Sequence, residues 1–388
     1  MTSLRPVRIG FMPLVDAAIV FVAVDKGFAA AEGLDVTLVR EVSWSNIRDR
    51  LAIGHYDAAH LLSPMSIAAT LGLRQVKVRL IATLNLATNG NAITVSPSLN
   101  ARLLGAADGD IADPLISARA LRAVVSEDEK RGAEPLTFAM TFPFSVHNYQ
   151  LRYWMAQGGI DPDKDLRLVV LPPPFMAENL ANGQIDGFCV GAPWNAVAAE
   201  TAKGVVLHPG CAIFNPAPEK TLAIRESTAD RDPWLVSALI RACLKAADFV
   251  AAPDNRAEVA AILARSDRVG IDAKTLHHIL DGRWCATAST ANKDYLIFGD
   301  RISGRPDPYQ AAWLFAQMAR WGQARTSAEA QRIAEGVFNP AFFDREIGPN
   351  PGVPPAHISA FAGPAFDADA METYIGAFPI AAKDPVVR

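Results

Sequence analysis

The octapeptide LAIGHYDA at Leu51–Ala58 has a near copy, LANGQIDG, at Leu180–Gly187. In each copy a helical pattern ends at a glycine. An aspartate then precedes a short apolar run that is typical of a buried strand. The elements before each copy also follow one order: strand, loop with a proline, helix, glycine, strand and helix. The repeated order predicts an α/β fold built from two lobes of similar topology.

Two segments are candidates for the passage of the chain between such lobes. NGNAITVSP at Asn89–Pro97 is an apolar strand pattern that starts with an Asn-Gly turn signal, and the return is expected near Cys211–Asn215. We therefore expect residues 1–92 and 213–388 to form the first lobe, together with the C-terminal helices and tail. Residues 93–212 are expected to form the second lobe.

The composition excludes several classes of protein. The 388 residues carry 37 Lys and Arg against 41 Asp and Glu, so the net charge of -4 gives no basic excess for direct binding of nucleic acid. Cys189, Cys211, Cys243 and Cys285 are far apart, and no CxxC or CxxH spacing indicates a zinc site. Phosphate-loop, dinucleotide, nucleophile-elbow and HExxH motifs are missing from the sequence. We therefore expect a binding protein without metal or cofactor, and not an enzyme.

The first residues favour one cellular location. Residues 1–6 lead directly into the strand pattern Val7–Met12, without the charged start, apolar run and small-residue cleavage site of a secretory signal. No apolar run approaches the roughly 18–20 residues that a membrane-spanning helix requires. We therefore expect a protein of the cytoplasm with no membrane segment.

Residues at two predicted helix starts are candidates for a ligand site. Trp44 lies in VSWS between a strand and a helix, and His147 lies in FSVHNYQ at the corresponding start in the second lobe. A helix N-terminus favours an anion, and a histidine there can donate a hydrogen bond or carry charge. Lys220, after the return crossing, could neutralise a small anion, and the amides of Asn89 and Asn91 could reach the same cleft.

Each of these residues also has a purely structural interpretation. Trp44 could fill the edge of its lobe, and His147 could cap a helix or lie in the core. Lys220 could be a solvated surface charge, as most lysines are. The residues alone leave both interpretations open.

Several motifs together resemble the nitrate- and bicarbonate-binding proteins of cyanobacterial ABC transporters, the NrtA/CmpA family. The likeness extends from residue 7 to about residue 345, and its motifs are IGFMPLVD (Ile9–Asp16), SWSNIRD (Ser43–Asp49), LAIGHYDAAH (Leu51–His60), SPM (Ser63–Met65), NGNAIT (Asn89–Thr94), YW (Tyr153–Trp154), GGIDP (Gly158–Pro162), PPP (Pro172–Pro174), AW (Ala312–Trp313) and MARWG (Met318–Gly322). This resemblance implies the two-lobed periplasmic-binding-protein fold of type II, with the ligand in the cleft between the lobes. It also implies that Trp44, Asn91, His147 and Lys220 bind the anion, with Gln150 as the alternative to Asn91.

Within that family the chain is similar to the cytoplasmic nitrate/nitrite sensors of the NasS type, because the receptors for transported solutes carry a leader that its start does not resemble. The similarity implies binding of nitrate or nitrite. It also implies a partner, a NasT-type RNA-binding antiterminator with an ANTAR domain. The sensor would hold this partner inactive and release it when the anion binds, so that nitrate-assimilation genes are read through.

Two other interpretations stay open at this point. One is an extracytoplasmic nitrate- or bicarbonate-binding component of an ABC transporter whose leader has been removed. The other is an enzyme on the same fold, as in the synthesis of the pyrimidine precursor of thiamine, which would require a cofactor lysine or a Cys/His cluster in the cleft. The sequence does not separate nitrate from nitrite or bicarbonate.

Overall fold

Two β-sheets form the framework of the protein, whose computed structural model describes residues 4–283, 292–348 and 357–382. The strands in these ranges are β1 (Arg5–Phe11), β2 (Leu34–Arg40), β3 (Ala58–Leu62), β4 (Leu80–Asn89), β5 (Asn91–Val95), β6 (Thr137–Met140), β7 (Arg167–Val170), β8 (Gly187–Gly191), β9 (Val205–Pro209), β10 (Phe214–Asn215), β11 (Pro218–Arg225), β12 (Leu296–Phe298) and β13 (Ser359–Ala360). The first sheet has the strand order β12-β4-β11-β3-β1-β2, and the second has the order β7-β6-β8-β5-β9. Strands β10 and β13 form a separate antiparallel pair.

Helices pack around both sheets. In the described ranges they are α1 (Ala18–Asp25), α2 (Phe28–Ala31), α3 (Trp44–Ala52), α4 (Ser63–Leu71), α5 (Pro97–Ala106), α6 (Pro114–Arg131), α7 (Val146–Gln157), α8 (Met176–Ala181), α9 (Trp194–Glu200), α10 (Glu226–Arg231), α11 (Pro233–Ala251), α12 (Arg256–Ala264), α13 (Ala273–Leu280), α14 (Pro308–Arg320), α15 (Ala328–Val337), α16 (Ala341–Ile347) and α17 (Met371–Gly376). None of these described helices combines the length and the apolar character that crossing a membrane requires.

The two sheets repeat one arrangement of strands. β1 lies between the parallel strands β2 and β3, and β6 lies in the same way between β7 and β8. An antiparallel strand comes next in each sheet, β11 beside β3 and β5 beside β8. The prediction of two α/β lobes with similar topology is therefore confirmed.

The aspartate in each copy of the octapeptide explains why the motif recurs. A carboxylate oxygen of Asp57 accepts a hydrogen bond from the backbone N–H of Arg8 in β1, at 2.8 Å. A carboxylate oxygen of Asp186 accepts the corresponding bond from Thr137 in β6, also at 2.8 Å. Each aspartate aligns the turn after a helix with the middle strand of its parallel trio, so the motif stabilises the fold of each lobe.

The chain passes between the lobes at the Asn-Gly turn signal. The apolar strand predicted after this signal is β5, which begins at Asn91 in the second sheet, whereas β4 ends at Asn89 in the first sheet. Asn89 has a φ of 64° and Gly90 a φ of 91°, so the backbone turns through the left-handed region. The Asn89 side chain stabilises the turn, since its Oδ1 accepts a hydrogen bond from the backbone N–H of Ala217 at 2.7 Å.

Local residues set the bounds of the first helices of the first lobe. Gly27, with a φ of 73°, separates α1 from α2. The next helix, α3, begins at Trp44, because the Ser43 hydroxyl, as N-cap, accepts a hydrogen bond from the backbone N–H of Asn46 at 3.3 Å.

The described part of the C-terminal tail contacts the second lobe. The hydroxyl of Tyr153 in α7 donates to the carbonyl oxygen of Ala362 at 2.7 Å, and the Tyr153 ring packs against Phe361 and Phe378. The division of the chain into residues 1–92 and 213–388 against 93–212 stays a prediction, but the tail is not confined to the first lobe. Cys285 and the tail residues 349–356 and 383–388 lie outside the described residues.

Candidate functional site

The ends of strands from both sheets meet at one place between the lobes. β1, β3 and β6 end there, whereas β5 and β11, which run in the opposite direction, begin there. Sheets of this kind bind ligands beyond the carboxyl ends of their parallel strands, where loops and helix starts follow. Ten side chains, each at most 3% exposed, line this interlobe site: Asp16, Trp44, His60, Asn91, Thr141, His147, Gln150, Cys189, Glu219 and Lys220.

Two helices begin at the interlobe site with the same kind of cap. Trp44 opens α3 after Ser43, and His147 lies in the first turn of α7 after Ser145. Each serine hydroxyl accepts the backbone N–H three residues further along the chain. These caps position the two aromatic side chains, and the helix N-termini add positive potential to the site.

Lys220 is the central cation of the interlobe site. Its Nζ lies 2.9 Å from Asp16 Oδ2 and 2.6 Å from Glu219 Oε1. It also lies 5.4 Å from the centroid of the Trp44 ring, whose π-electrons attract a cation. Lys220 keeps its charge without solvent because two carboxyl groups and an aromatic ring surround the ammonium.

Hydrogen bonds join the two lobes through the site. Asn91 Nδ2, from β5 of the second sheet, donates to Glu219 Oε2 at 2.8 Å and to Gln150 Oε1 at 3.0 Å. His147 Nε2 lies 3.5 Å from Glu219 Oε1, and His147 Nδ1 lies 3.1 Å from the Thr141 hydroxyl. Glu219 belongs to β11 of the first sheet, so this network depends on how closely the lobes approach each other.

Burial and neighbouring charges set the protonation of the acids and of the lysine. Burial alone would raise the pKa of Asp16, but Lys220 and His60 outweigh it and hold that pKa well below its ordinary value. Burial disfavours the Lys220 ammonium, yet Asp16 and Glu219 outweigh burial and raise the pKa of Lys220. Burial also raises the pKa of Glu219, and Lys220 offsets only part of that rise. Asp16 and Lys220 are therefore both charged at neutral pH.

The two histidines of the site are neutral at pH 7. Burial lowers the pKa of His147 well below its ordinary value, and the Lys220 charge lowers it further. Burial lowers the pKa of His60 as well, although Asp16 Oδ1, 2.9 Å from His60 Nε2, acts in the opposite direction. Of the two roles expected for His147, hydrogen bonding is available and positive charge is not.

Four buried nitrogen atoms of the site have no hydrogen-bond partner in the described part of the chain. They are Trp44 Nε1, His60 Nδ1, His147 Nε2 and Gln150 Nε2. The indole and amide nitrogens can only donate, and a buried donor left unpaired costs about 1–3 kcal/mol. Their presence in the same site as Lys220 suits a small ligand that offers hydrogen-bond acceptors.

Comparisons with known proteins assign this chain to a family. The NMT1-like family matches residues 2–264. The nitrate/nitrite binding protein NrtA of Synechococcus elongatus is 31% identical over 394 residues, which cover 96% of this chain and 86% of that protein. The chain belongs to the NMT1-like family and is of the NrtA/CmpA type.

Two further comparisons concern the extent of the NrtA/CmpA-type chain and its fold. The bicarbonate transport ATP-binding protein CmpC of Synechocystis sp. is 33% identical over 95% of this chain, but the chain spans only 54% of that relative. The crystal structure of the periplasmic nitrate-binding protein NrtA from Synechocystis superposes with a TM-score of 0.87 at 24% identity, over 97% of this chain and 99% of that one. The predicted periplasmic-binding-protein-like fold is confirmed.

The NrtA relatives that this chain matches over most of their length are named as binding proteins and not as enzymes. The prediction that the chain is not an enzyme is therefore confirmed, and the interpretation as a thiamine-precursor enzyme is not supported. In the ranges that the structure describes, no group of three or more His, Cys, Asp or Glu side chains is arranged to hold a metal ion.

The five residues that the resemblance implies as ligands lie together in this NrtA/CmpA-type chain: Trp44, Asn91, His147, Gln150 and Lys220. Asn91 and Gln150, expected as alternatives, are hydrogen-bonded to each other, so both belong to the site. The interpretation of Lys220 as a solvated charge is wrong, because its side chain is fully buried. Asn89 stabilises the lobe crossing through Ala217. The binding role of the five residues stays a prediction.

Sequence reasoning missed the two acids and one of the two histidines of the site, Asp16, Glu219 and His60. Asp16 lies between the apolar runs of IGFMPLVDAAIV, Glu219 lies next to Lys220 at the start of PEKTLAI, and His60 interrupts AAHLL. A buried charge or imidazole in an apolar strand requires a partner, so this pattern was a usable signal. The sequence did not indicate that Asp16 and Glu219 would both contact Lys220.

Proposed function

We propose that this chain binds nitrate or nitrite in the interlobe site. The observation that carries the proposal is the fully buried Lys220 ammonium, which shares one site with N–H donors of Trp44 and Gln150 that are unpaired within the described ranges. A relative of the same type is named a nitrate/nitrite binding protein, which supports this class of ligand.

The chemistry of the ligand fits these groups. Nitrate and nitrite are small, carry one negative charge and offer oxygen acceptors but no donor. Their affinity must come from charge-assisted hydrogen bonds, each worth roughly 1.5–3 kcal/mol in a site closed to water. Lys220 supplies the charge, and Trp44 and Gln150 supply N–H groups that have no partner in the described protein.

Calorimetric titration of the purified protein with nitrate, nitrite and bicarbonate tests this proposal. We expect saturable binding of nitrate or nitrite at about one anion per chain, with chloride as the control for a general ionic effect. Binding of bicarbonate alone would refute the ligand assignment. Binding of none of the three anions would refute the assignment of the site as well.

Gly210 leaves space for the Gln150 side chain. A Cβ at position 210 would overlap Gln150 Nε2 and would lie 3.0 Å from the carbonyl oxygen of Asn91. We expect Gly210→Ala to displace the Gln150 amide and to weaken nitrate binding by about tenfold, the equivalent of one hydrogen bond. Calorimetric titration of the variant measures this change.

Gly336→Ala is the control for Gly210→Ala. Gly336 lies in α15, away from the residues that line the interlobe site, and its added Cβ would meet no described atom outside its own helix within 4 Å. We expect its nitrate affinity to stay within about twofold of the original, since no group has to move. Equal nitrate affinities of the two variants would show that Gln150 does not bind the anion.

We further propose that the chain works in the cytoplasm as a nitrate/nitrite sensor that holds a NasT-type antiterminator. The resemblance to the NasS-type sensors supports this role. The hydrogen bond from Asn91 to Glu219 crosses between the lobes, so a ligand there can favour one lobe arrangement over another. Closure of the lobes on an anion would change any surface that spans both lobes and release a partner bound to it.

If nitrate releases the partner, nitrate must weaken the binding of the partner, and the partner must weaken the binding of nitrate by the same factor. We expect the dissociation constant of nitrate to rise by about tenfold, within the usual range of about 5–150-fold, when the NasT-type antiterminator is saturating. Calorimetric titration with and without the antiterminator measures this change. Identical dissociation constants would exclude release as the mechanism, even if both molecules bind.

A second candidate function is the solute-binding part of an ABC transporter. Proteins named for bicarbonate transport and nitrate import align with 95% and 96% of this chain, which favours this role. The same interlobe site would serve either function. Failure of the nitrate-free protein to bind purified antiterminator would favour the transporter role over the sensor role.

A further inference from the structure

The interlobe site contains more acid than base before an anion enters it. Asp16 Oδ2 and Glu219 Oε1 both contact Lys220 Nζ, and both acids are at most 2% exposed. Two ionised carboxyl groups and one ammonium give these side chains a net charge of minus one. A monovalent anion would add a second uncompensated negative charge in a place without solvent, which is strongly unfavourable.

We infer that binding of an anion at Lys220 is coupled to the uptake of one proton by Glu219. The proton comes from solvent and bonds to a carboxylate oxygen of Glu219, and no covalent bond to the anion forms. Protonated Glu219 is neutral, so it no longer competes with the anion for the Lys220 ammonium. Its O–H can also donate a hydrogen bond to an acceptor. The inference rests on the proposed binding of nitrate or nitrite and assigns to Glu219 the pH control of that binding.

The contacts of the two acids favour Glu219 over Asp16 as the proton acceptor. Asp16 is held as an anion by Lys220 on one oxygen and by His60 Nε2, at 2.9 Å, on the other. Glu219 has the same lysine on Oε1, but among the described residues its Oε2 accepts a hydrogen bond only from the neutral amide of Asn91. In agreement, the pKa of Glu219 is raised, chiefly by burial, whereas the pKa of Asp16 is lowered despite its burial.

Groups from both lobes face Glu219. Those that are charged, titratable or hydrogen-bonded to it are Asp16 after β1, Lys220 on β11, Asn91 on β5, His147 on α7 and Cys189 on β8. Of these, His147 is the other group that could accept the proton, because its Nε2 lies 3.5 Å from Glu219 Oε1. Complete burial and the charge of Lys220 both oppose the ionisation of His147.

The sign of the pH dependence follows from the charges. A bound anion disfavours ionisation of a nearby carboxyl group, so the pKa of Glu219 is higher in the complex than in the free protein. Below the lower of these two pKa values the affinity does not change with pH. Between them the affinity falls as pH rises, by up to about tenfold per pH unit.

Nitrate titrations of the full chain between about pH 6 and pH 8.5 test the inference. We expect the dissociation constant to rise by about tenfold or more over this range. Calorimetry in two buffers with different ionisation enthalpies gives the number of protons taken up per bound nitrate. We expect this number to approach one in the pH range where the affinity changes. For Glu219→Gln, which mimics the protonated acid, we expect a dissociation constant that changes by less than about twofold and is lower than the original at pH 8.5.

Glu32→Gln is the control, because Glu32 is an acid that forms ion pairs with Arg241 and Lys245 but lies away from the interlobe site. We expect it to keep the original pH dependence. A flat affinity without proton uptake in the original protein would overturn the inference while leaving nitrate binding intact. A pH dependence that survives in Glu219→Gln and is lost in His147→Asn would also overturn it. Absence of anion binding at every pH would overturn the proposed function itself.

Discussion

Replacement of Lys220 with alanine is expected to abolish most nitrate binding and to lower the free energy of unfolding by about 3–5 kcal/mol. The affinity should fall by at least about tenfold, because one charge-assisted hydrogen bond is lost. The loss of stability has a separate cause. Asp16 and Glu219 would remain buried without the ammonium that contacts both of them at 2.9 and 2.6 Å. Urea unfolding and calorimetric titration with nitrate measure the two effects.

A double variant separates the two effects of Lys220. Asp16→Asn combined with Lys220→Met removes opposite charges together and keeps the volumes similar, so we expect much of the lost stability to return. Nitrate binding should not return, since the cation is still missing. Lys245→Ala serves as the control, because its ion pair with Glu32 is half exposed and contributes at most about 1 kcal/mol. Normal nitrate binding by the double variant would remove Lys220 from the ligand site.

Replacement of Trp44 with alanine is expected to cost about 3–5 kcal/mol of stability, as removal of a buried aromatic side chain usually does. Trp44 is 1% exposed, and its ring lies 5.4 Å from Lys220 Nζ and 5.7 Å from the His60 ring. Its loss would open a cavity and remove the aromatic ring beside the ammonium. Urea unfolding measures the change, with Trp234→Ala as the control, because Trp234 is 48% exposed.

Trp44→Phe removes the indole N–H but keeps an aromatic ring, so it separates the effect of the donor from the effect of the buried volume. Trp44 Nε1 has no partner among the described residues, so its removal breaks no bond within that part of the protein. We expect a smaller loss of stability, about 1–2 kcal/mol, from the reduced volume. Nitrate affinity should nevertheless fall by about tenfold if the indole donates to the anion. Unchanged affinity in Trp44→Phe would show that Trp44 only fills space.

The fold was predictable because its signals are local. The repeated octapeptide marks the turn after α3 and after α8, and in both copies the aspartate bonds to a backbone N–H of the neighbouring strand. Hydrophobic patterning and turn residues act over a few positions, so they can be recognised in a single sequence. The Asn-Gly turn signal at Asn89 marked the passage between the lobes, but it did not show that a strand of the first sheet would extend as far as Asn89.

The candidate site was predictable only in part, for the same reason. Trp44 and His147 follow N-cap serines, and an N-cap is visible within three or four residues. Asp16 and His60 are 44 residues apart, and Asn91 and Glu219 are 128 apart, so no local pattern connects them. Sequence reasoning thus indicated an anion site with a lysine but not the two acids that share this lysine.

By itself the sequence determined the two α/β lobes, the turns that end with Asp57 and Asp186, and the helix starts that present Trp44 and His147. Only the tertiary structure decided the charge of the site. The crossing at Gly90 and the return to β11 bring Asp16, Glu219 and Lys220 into contact, and the approach of the second lobe adds Asn91 to Glu219. Protonation depends on burial and on charges within a few ångströms, and both exist only after distant parts of the chain have packed together.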